Sequence, residues 1–312
     1  TGCKIETTNN SITVLPSKKI KSVDMTTAVY PGFPTDLQAQ WVALMSLADA
    51  SSVVTDTVYH DRFSHIPELA RLGADIKVEK GFVIAEAKKG LTGNRIQLEK
   101  PSVGATQNLI MASTLAKGET KISNASIEPE VLDLIDCLKK MGANIEIDKK
   151  NILIDGQETL HGASHSVMFD RIEAATFAIA ACITRGNLIL KGCDPRNLEL
   201  PLYLLRNIGF QIKDTDDGIN VDGYLTSEIK PIDLITEPYP GFPTDLQAQI
   251  MVLMTKAQGT SKIEENIFEK IRDGEAEADI VYRDDYITAF KDISPSAPVH
   301  ILTLIHISEP TR

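Results

Sequence analysis

Apolar residues recur at helical spacing three times along this chain, each time behind a proline and ahead of a glycine. The stretches are Pro67–Ile76, Pro129–Ile145 and Pro201–Ile212. Proline suits the first turn of a helix, and glycine suits the left-handed residue just past its end. The stop glycines lie at 73, 142 and 209, so they are 69 and 67 residues apart, and Gly2 lies 71 residues before the first of them. After each glycine come two short alternating strands around a polar turn, as in Ile145–Ile147 and Ile152–Ile154. A second set of apolar helices fills the intervals. These are Gln107–Ala116 before Lys117-Gly118, Ala174–Thr184 before Arg185-Gly186, and Leu246–Ala257 before Gln258-Gly259. The pattern predicts an α/β chain built from βαβαββ modules of about 70 residues. The helices are apolar on most faces, which predicts that they are buried inside sheet.

A longer identity cuts across this period. Tyr-Pro-Gly-Phe-Pro-Thr-Asp-Leu-Gln-Ala-Gln stands at 30–40 and again at 239–249, between flanks that differ much more. A stiff Pro/Gly turn carrying one carboxylate suits a held catalytic loop. The other reading of Asp36 and Asp245 is the N-cap of the Leu-Gln-Ala-Gln helix that follows.

Composition narrows the function classes. A net charge of −11 over 312 residues disfavours nucleic acid as a partner, while local Arg and Lys still permit an anionic small substrate. No apolar run approaches the roughly 20 residues that cross a bilayer, so no membrane segment is expected. No charged-then-apolar leader opens the chain, so a cytoplasmic location is expected. The chain starts at Thr1 rather than Met, from which an absent native N-terminus is expected. Cys3, Cys137, Cys182 and Cys193 show no CxxC spacing, so neither a zinc site nor a disulfide framework is expected. All four read as structural.

Modules of this period together with Pro-Gly-Phe-Pro-Thr-Asp resemble the enolpyruvyl transferases, over residues of about 1–268. Further matching pieces are Lys100-Pro101-Ser102-Val103-Gly104-Ala105-Thr106, Glu128-Pro129-Glu130, Asp170-Arg171-Ile172-Glu173 and Arg62-Phe63-Ser64-His65-Ile66-Pro67-Glu68. The resemblance implies lobes that are inside-out α/β barrels of three modules, here incomplete. It implies transfer of the enolpyruvyl group of phosphoenolpyruvate to the 3-hydroxyl of UDP-N-acetylglucosamine, with release of phosphate, on the route to peptidoglycan. No metal or other cofactor is implied.

The resemblance also assigns residues. Taking the hydroxyl proton needs a positioned base, a role that falls to Asp245 or Asp36. Thr244 and Thr35 stand beside them, and Val58 and Arg62 follow the first copy, with Arg62 facing the phosphoenolpyruvate carboxylate or phosphate. Ser102, Val103 and Gly104 open a helix whose free N–H groups suit a diphosphate, with Lys100 adding charge beside them. On its own, Ser-Val-Gly is more often a plain helix cap. Arg171 is a cleft arginine of the family.

The chain departs from the family in three respects. A Lys-Asn pair and a loop with Gly-Cys or Gly-Asp before an Arg-Pro-Val-Asp-Leu-His-like run, which supplies the general acid, do not occur. Residues 1–76 resemble a later part of the family's chain than residues 77–169 and 170–266, so the order of segments changes near Leu72–Ile76. Residues 267–302 resemble the start of a histidine-triad protein without its His-x-His-x-His run, within a fourth segment, 267–312, whose closing residues fit neither family. Two alternatives stay open: the sister activity on shikimate 3-phosphate, and an inactive chimeric piece. Uncovered module faces predict self-association.

Overall fold

The computed structural model describes residues 1–9, 11–15, 19–58, 65–79, 82–86, 90–224, 228–265, 280–283, 287–291 and 301–305. The chain divides into two units, Thr1–Ser166 with Asp279–Arg312, and Val167–Ala278.

The first unit opens with an antiparallel hairpin of β1 (Lys4–Thr7) and β2 (Ile12–Leu15), which forms a sheet of its own. A full module follows: β3 (Met25–Thr26), α1 (Gln38–Met45), β4 (Ser52–Thr55), α2 (Ile66–Arg71), β5 (Asp75–Glu79) and β6 (Phe82–Glu86). A second comprises β7 (Arg95–Gln97), α3 (Val103–Ser113), β8 (Glu119–Ser123), α4 (Pro129–Lys140), β9 (Asn144–Asp148) and β10 (Asn151–Asp155). Both are βαβαββ, as the sequence pattern predicts. The sheets have matching orders, β3-β4-β6-β5 and β7-β8-β10-β9. In each, the first two strands run parallel across a helix, and the closing hairpin lays its last strand antiparallel on the second. The hairpin β5–β6 pairs in the same register as β9–β10.

Local sequence explains the joints. Gly73 and Gly142 take φ of 89° and 98° after α2 and α4, a region that a side chain disfavours. Gly156 lets the chain pass close to the end of α3, since a Cβ there would lie 1.6 Å from the Ala116 carbonyl oxygen. Inside the unit, Val42, Leu109, Ile110, Ile122, Val131, Ile152 and Ile154 form one continuous buried core. α3 starts at Val103 rather than Gln107, because Ser102 caps it there.

The second unit comprises α5 (Arg171–Thr184), β11 (Asn187–Lys191), α6 (Glu199–Ile208), β12 (Gln211–Thr215) and β13 (Gly218–Asp222), with sheet order β11-β13-β12. It continues through β14 (Leu234–Thr236), α7 (Gln247–Met254) and β15 (Ile263–Glu265), the two strands pairing in parallel. Ala178, Leu205, Ile208, Val221, Phe242, Leu246 and Leu253 fill its core. In the first unit, three further strands, β16 (Ile280–Arg283), β17 (Ile287–Lys291) and β18 (Ile301–Ile305), form an antiparallel sheet. Among the described residues, no helix is long and apolar enough to cross a membrane, and no cluster of His, Cys, Asp or Glu could hold a metal ion.

Candidate functional site: two latched Pro-Thr-Asp loops

Both copies of the repeated undecapeptide adopt one geometry. Each Tyr-Pro bond, Tyr30-Pro31 and Tyr239-Pro240, is cis. The loop closes where the Ala28 N–H donates to the Phe33 carbonyl and the Glu237 N–H to the Phe242 carbonyl, both at 2.9 Å. Glycine is required at the tip. A Cβ on Gly32 would lie 2.5 Å from the Ala28 Cβ, and one on Gly241 2.4 Å from the Glu237 Cβ. A single 3-10 turn follows, Thr35–Leu37 or Thr244–Leu246, and leads directly into α1 or α7.

That turn settles the capping alternative. Leu37 and Leu246 occupy the N-cap positions of α1 and α7, and no side chain caps either helix. The 3-10 turn shifts Asp36 and Asp245 off the cap and into its first turn, where both are exposed.

An acidic residue from outside the repeat latches each loop. Asp56, only 1% exposed, accepts from Thr27 Oγ1 at 2.7 Å, Thr35 Oγ1 at 2.6 Å and the Val58 N–H at 3.0 Å. In the second copy Glu265 Oε1 accepts from Thr236 Oγ1 at 3.0 Å and Thr244 Oγ1 at 2.7 Å. Thr27 and Thr236 are fully buried. Three members of the first latch stand 209 residues before a counterpart: Thr27 and Thr236, Thr35 and Thr244, Asp56 and Glu265. Thr35 and Thr244 are therefore loop-holding hydroxyls, and Val58 meets the site through its N–H. Sequence reasoning did not single out Asp56, Glu265, Thr27 or Thr236. The same 209-residue offset carried into the diverged flanks would have found them.

The other expected residues divide between the units. In the first, Ser102 caps α3 by accepting from the Ala105 N–H at 3.3 Å, so the cap reading of Ser-Val-Gly holds. Lys100 is exposed just before it, and Val103 is half-buried. A Cβ on Gly104 would meet nothing within 4 Å, which leaves that face of the first turn open. α1 packs on α3, so the first loop and this helix start belong to one packed body. In the second unit, Arg171 is the first residue of α5, behind the Asp170 cap. Its guanidinium lies 5.7 Å from the centroid of the Tyr239 ring, over the second loop. A cavity of about 440 Å³ beside this pair is lined by Arg171, Tyr203, Arg206, Tyr239, Pro240 and Leu246, among others. Arg62 lies outside the described residues.

Comparison with known proteins agrees with this architecture. A family model described as EPSP synthase (3-phosphoshikimate 1-carboxyvinyltransferase) matches residues 1–96 and again residues 86–277. The chain belongs to this enolpyruvyl transferase family. Two overlapping matches fit a chain that carries the loop twice. UDP-N-acetylglucosamine 1-carboxyvinyltransferase of Azorhizobium caulinodans is 52% identical over 206 residues, covering 66% of this chain and 48% of the relative. The enzyme of the same name from Afipia carboxidovorans is 48% identical over 205 residues, covering 65% and 48%. The chain thus spans about half the length of the curated relatives it matches. Among solved structures, the enolpyruvyl transferase NikO from Streptomyces tendae aligns with a TM-score of 0.67 at 19% identity, over 98% of this chain and 71% of that one. EPSP synthase from Acinetobacter baumannii aligns with a TM-score of 0.59 at 18% identity, over 84% and 62%. These two share the fold. A second family model, described as scavenger mRNA decapping enzyme C-term binding, matches residues 265–309.

The cysteines of this enolpyruvyl transferase chain are free. Burial pushes the Cys182 thiol up to about 12 and raises that of Cys193, so both stay protonated.

Proposed function

We propose that this chain carries the sugar-nucleotide part of a UDP-N-acetylglucosamine enolpyruvyl transferase, with Asp245 as the base that takes the proton of the sugar 3-hydroxyl. The observation that carries this reading is the exposed Asp245 on a loop held by Glu265, whose first residue, Tyr239, lies beneath the Arg171 guanidinium. Relatives of that name reach 52% identity, against 18% for the EPSP synthase structure, which favours the UDP-sugar over shikimate 3-phosphate as acceptor. As the carboxylate takes the hydroxyl proton, the sugar oxygen bonds to C2 of phosphoenolpyruvate and C3 gains a proton. Loss of that proton with cleavage of the C2–O bond to phosphate restores the enol. In this reading the uridine diphosphate lies at the start of α3, on Lys100, Ser102, Val103 and Gly104, where a helix N-terminus favours an anion. Arg171 and Arg62 belong to the substrate-facing arginines, and the reaction takes place in the cytoplasm without a metal or other cofactor, as a step of peptidoglycan precursor synthesis. Residues 267–302 are read as histidine-triad-like and without a catalytic role; the family match over 265–309 fits the first part of that reading.

A second reading, an inactive piece that still binds the UDP-sugar, is favoured by the coverage of about half of each relative. Phosphate release from phosphoenolpyruvate separates the readings. Turnover is expected with UDP-N-acetylglucosamine and not with shikimate 3-phosphate, and Asp245→Asn should lower it by about 10²-fold or more while Asp36→Asn does not. No turnover, with the UDP-sugar still bound, makes the second reading the correct one. Loss in Asp36→Asn alone overturns the choice of base.

A further inference from the structure

Within the second unit α7 packs on α5, and a side-chain hydrogen bond crosses their seam. Gln249 Nε2 donates to Thr176 Oγ1 at 3.0 Å. The Thr176 hydroxyl donates in turn to the Ile172 carbonyl, one helical turn back, at 2.8 Å. A hydroxyl has a single hydrogen. With that hydrogen on Ile172, the Thr176 oxygen can only accept, which fixes the Gln249 amide with its nitrogen toward α5. The bonds therefore run from the first turn of α7 to the first turn of α5. Both ends adjoin the candidate site. Asp245 stands in the 3-10 turn that leads directly into α7, four residues before Gln249, and Arg171 is the residue before Ile172. The first copy has the same positions without the bond. Thr176 is six residues past the Asp170 cap and Asn108 is six past the Ser102 cap, while Gln40 stands 209 residues before Gln249. Asn108 Nδ2 reaches back four residues to the Gly104 carbonyl at 2.9 Å, as Thr176 does to Ile172. Among the described residues, however, Asn108 Oδ1 and Gln40 Oε1 are both buried without a hydrogen-bond partner.

We propose that Gln249 is a positioning residue for Asp245: through Thr176 it locks α7 against α5 and so sets where the carboxylate stands relative to Arg171. The proposal rests on the reading of Asp245 as the base. The remainder of the seam is apolar, with Ala175, Ala178 and Ile179 of α5 and Ile250 and Leu253 of α7 all buried in one core. Apolar contact is non-directional, so it resists a small slide of one helix along the other only weakly, whereas a hydrogen bond fixes distance and angle. Glu265 holds the chain ahead of Asp245 through Thr244, and Gln249 holds it behind. A base displaced by about 1 Å loses about 10²-fold in rate, so a bond outside the site can govern it.

Amide hydrogen exchange and steady-state kinetics of the full chain test this together. Gln249→Leu and Thr176→Val keep the side-chain volume and remove the bond, whereas Thr176→Ser keeps the hydroxyl. The Leu246 N–H, which donates to the Pro243 carbonyl at 3.0 Å, reports on the turn that carries Asp245. Its exchange should be faster by about tenfold or more in Gln249→Leu and Thr176→Val, and at the wild-type rate in Thr176→Ser. With phosphoenolpyruvate and UDP-N-acetylglucosamine, the first two variants should lower kcat by about tenfold or more and hold KM for the UDP-sugar within about twofold. Thr176→Ser should retain the wild-type kcat. The Gln249→Leu, Thr176→Val double variant should lose no more than either single variant, because both remove the same bond. Unchanged exchange in Gln249→Leu overturns the proposal, as does a loss confined to KM or losses that add in the double variant. A wild-type chain without turnover sinks the role of Asp245 instead, and exchange at Leu246 then decides by itself whether the link holds the turn.

Discussion

Replacing Asp56 by alanine tests whether the loop is held from outside its own sequence. Among the described residues, Asp56 accepts hydrogen bonds at 2.6 to 3.0 Å from Thr27, Thr35 and Val58, and it is almost fully buried. Hydrogen bonds to a charged group contribute about 1.5–3 kcal/mol each, and a buried donor left without its acceptor costs about 1–3 kcal/mol. The Val58 N–H is half-buried and recovers part of its loss from water, so the two threonine hydroxyls dominate. Asp56→Ala is expected to destabilise the first unit by about 3–5 kcal/mol, and Asp56→Asn, which keeps the volume, by about 1–2 kcal/mol. The chain contains a built-in probe: Trp41 is its only tryptophan, on α1, with its ring 5.4 Å from Phe33 of the same loop. Urea unfolding followed by tryptophan fluorescence thus reports on this unit. With a slope of about 2 kcal/mol per molar urea, the midpoint should fall by roughly 1.5–2.5 M. Glu265→Ala, in the second unit, should leave the Trp41 transition where it is. A shift below about 1 kcal/mol in Asp56→Ala, or an equal shift in Glu265→Ala, refutes the latch.

Two further expectations follow from burial and close approach. With the Cys182 thiol pushed up to about 12 and Cys193 also raised, neither forms appreciable thiolate near neutral pH, because a raised thiol pKa keeps the proton on until the pH approaches it. A disulfide reagent at about pH 8 should therefore label native Cys3 and Cys137 fast and the other two only on denaturation; four fast thiols refute this. Gly156→Ala should destabilise by roughly 2–4 kcal/mol, because the added methyl meets the Ala116 carbonyl, whereas Gly104→Ala, with open space around it, should stabilise by up to about 1 kcal/mol; thermal unfolding separates the two.

The module was legible because its signals are local. Proline at the start of α4 and glycine after α2, α4 and α6 act within one turn, and the alternating strands β9 and β10 follow directly. Boundaries set by a side-chain cap were less so: Ser102 moves the start of α3 four residues ahead of the apolar run. Pro-Thr-Asp read as a cap in one of its two interpretations, because a 3-10 turn and an α-helix share the same first residues in sequence. The latch was not legible from local pattern. Asp56 meets Thr35 and Thr27 from 21 and 29 residues away, so no local pattern marks the contact, and only the 209-residue offset carried beyond the identical loop reveals it.

Since both loops have the same closure, turn and latch, loop geometry alone does not select the base. Among the described residues, their surroundings differ. Tyr30, at the start of the first copy, is 96% exposed. Tyr239, the same residue in the second copy, is half-buried beneath the Arg171 guanidinium, beside a cavity that the loop helps to line. A carboxylate works as a base only where the acceptor hydroxyl is held against it, and holding needs walls and charge. The second copy has both, from α5 and α6. Among the described residues, this difference supports the proposed choice of Asp245 over Asp36, with Arg171 as a residue that stands over the second loop. Arg171→Lys keeps the charge but loses the planar group over the ring. It should therefore raise KM while leaving the Glu265 latch, and with it the unfolding midpoint of the second unit, unchanged. An unaltered KM would return the two loops to equal standing.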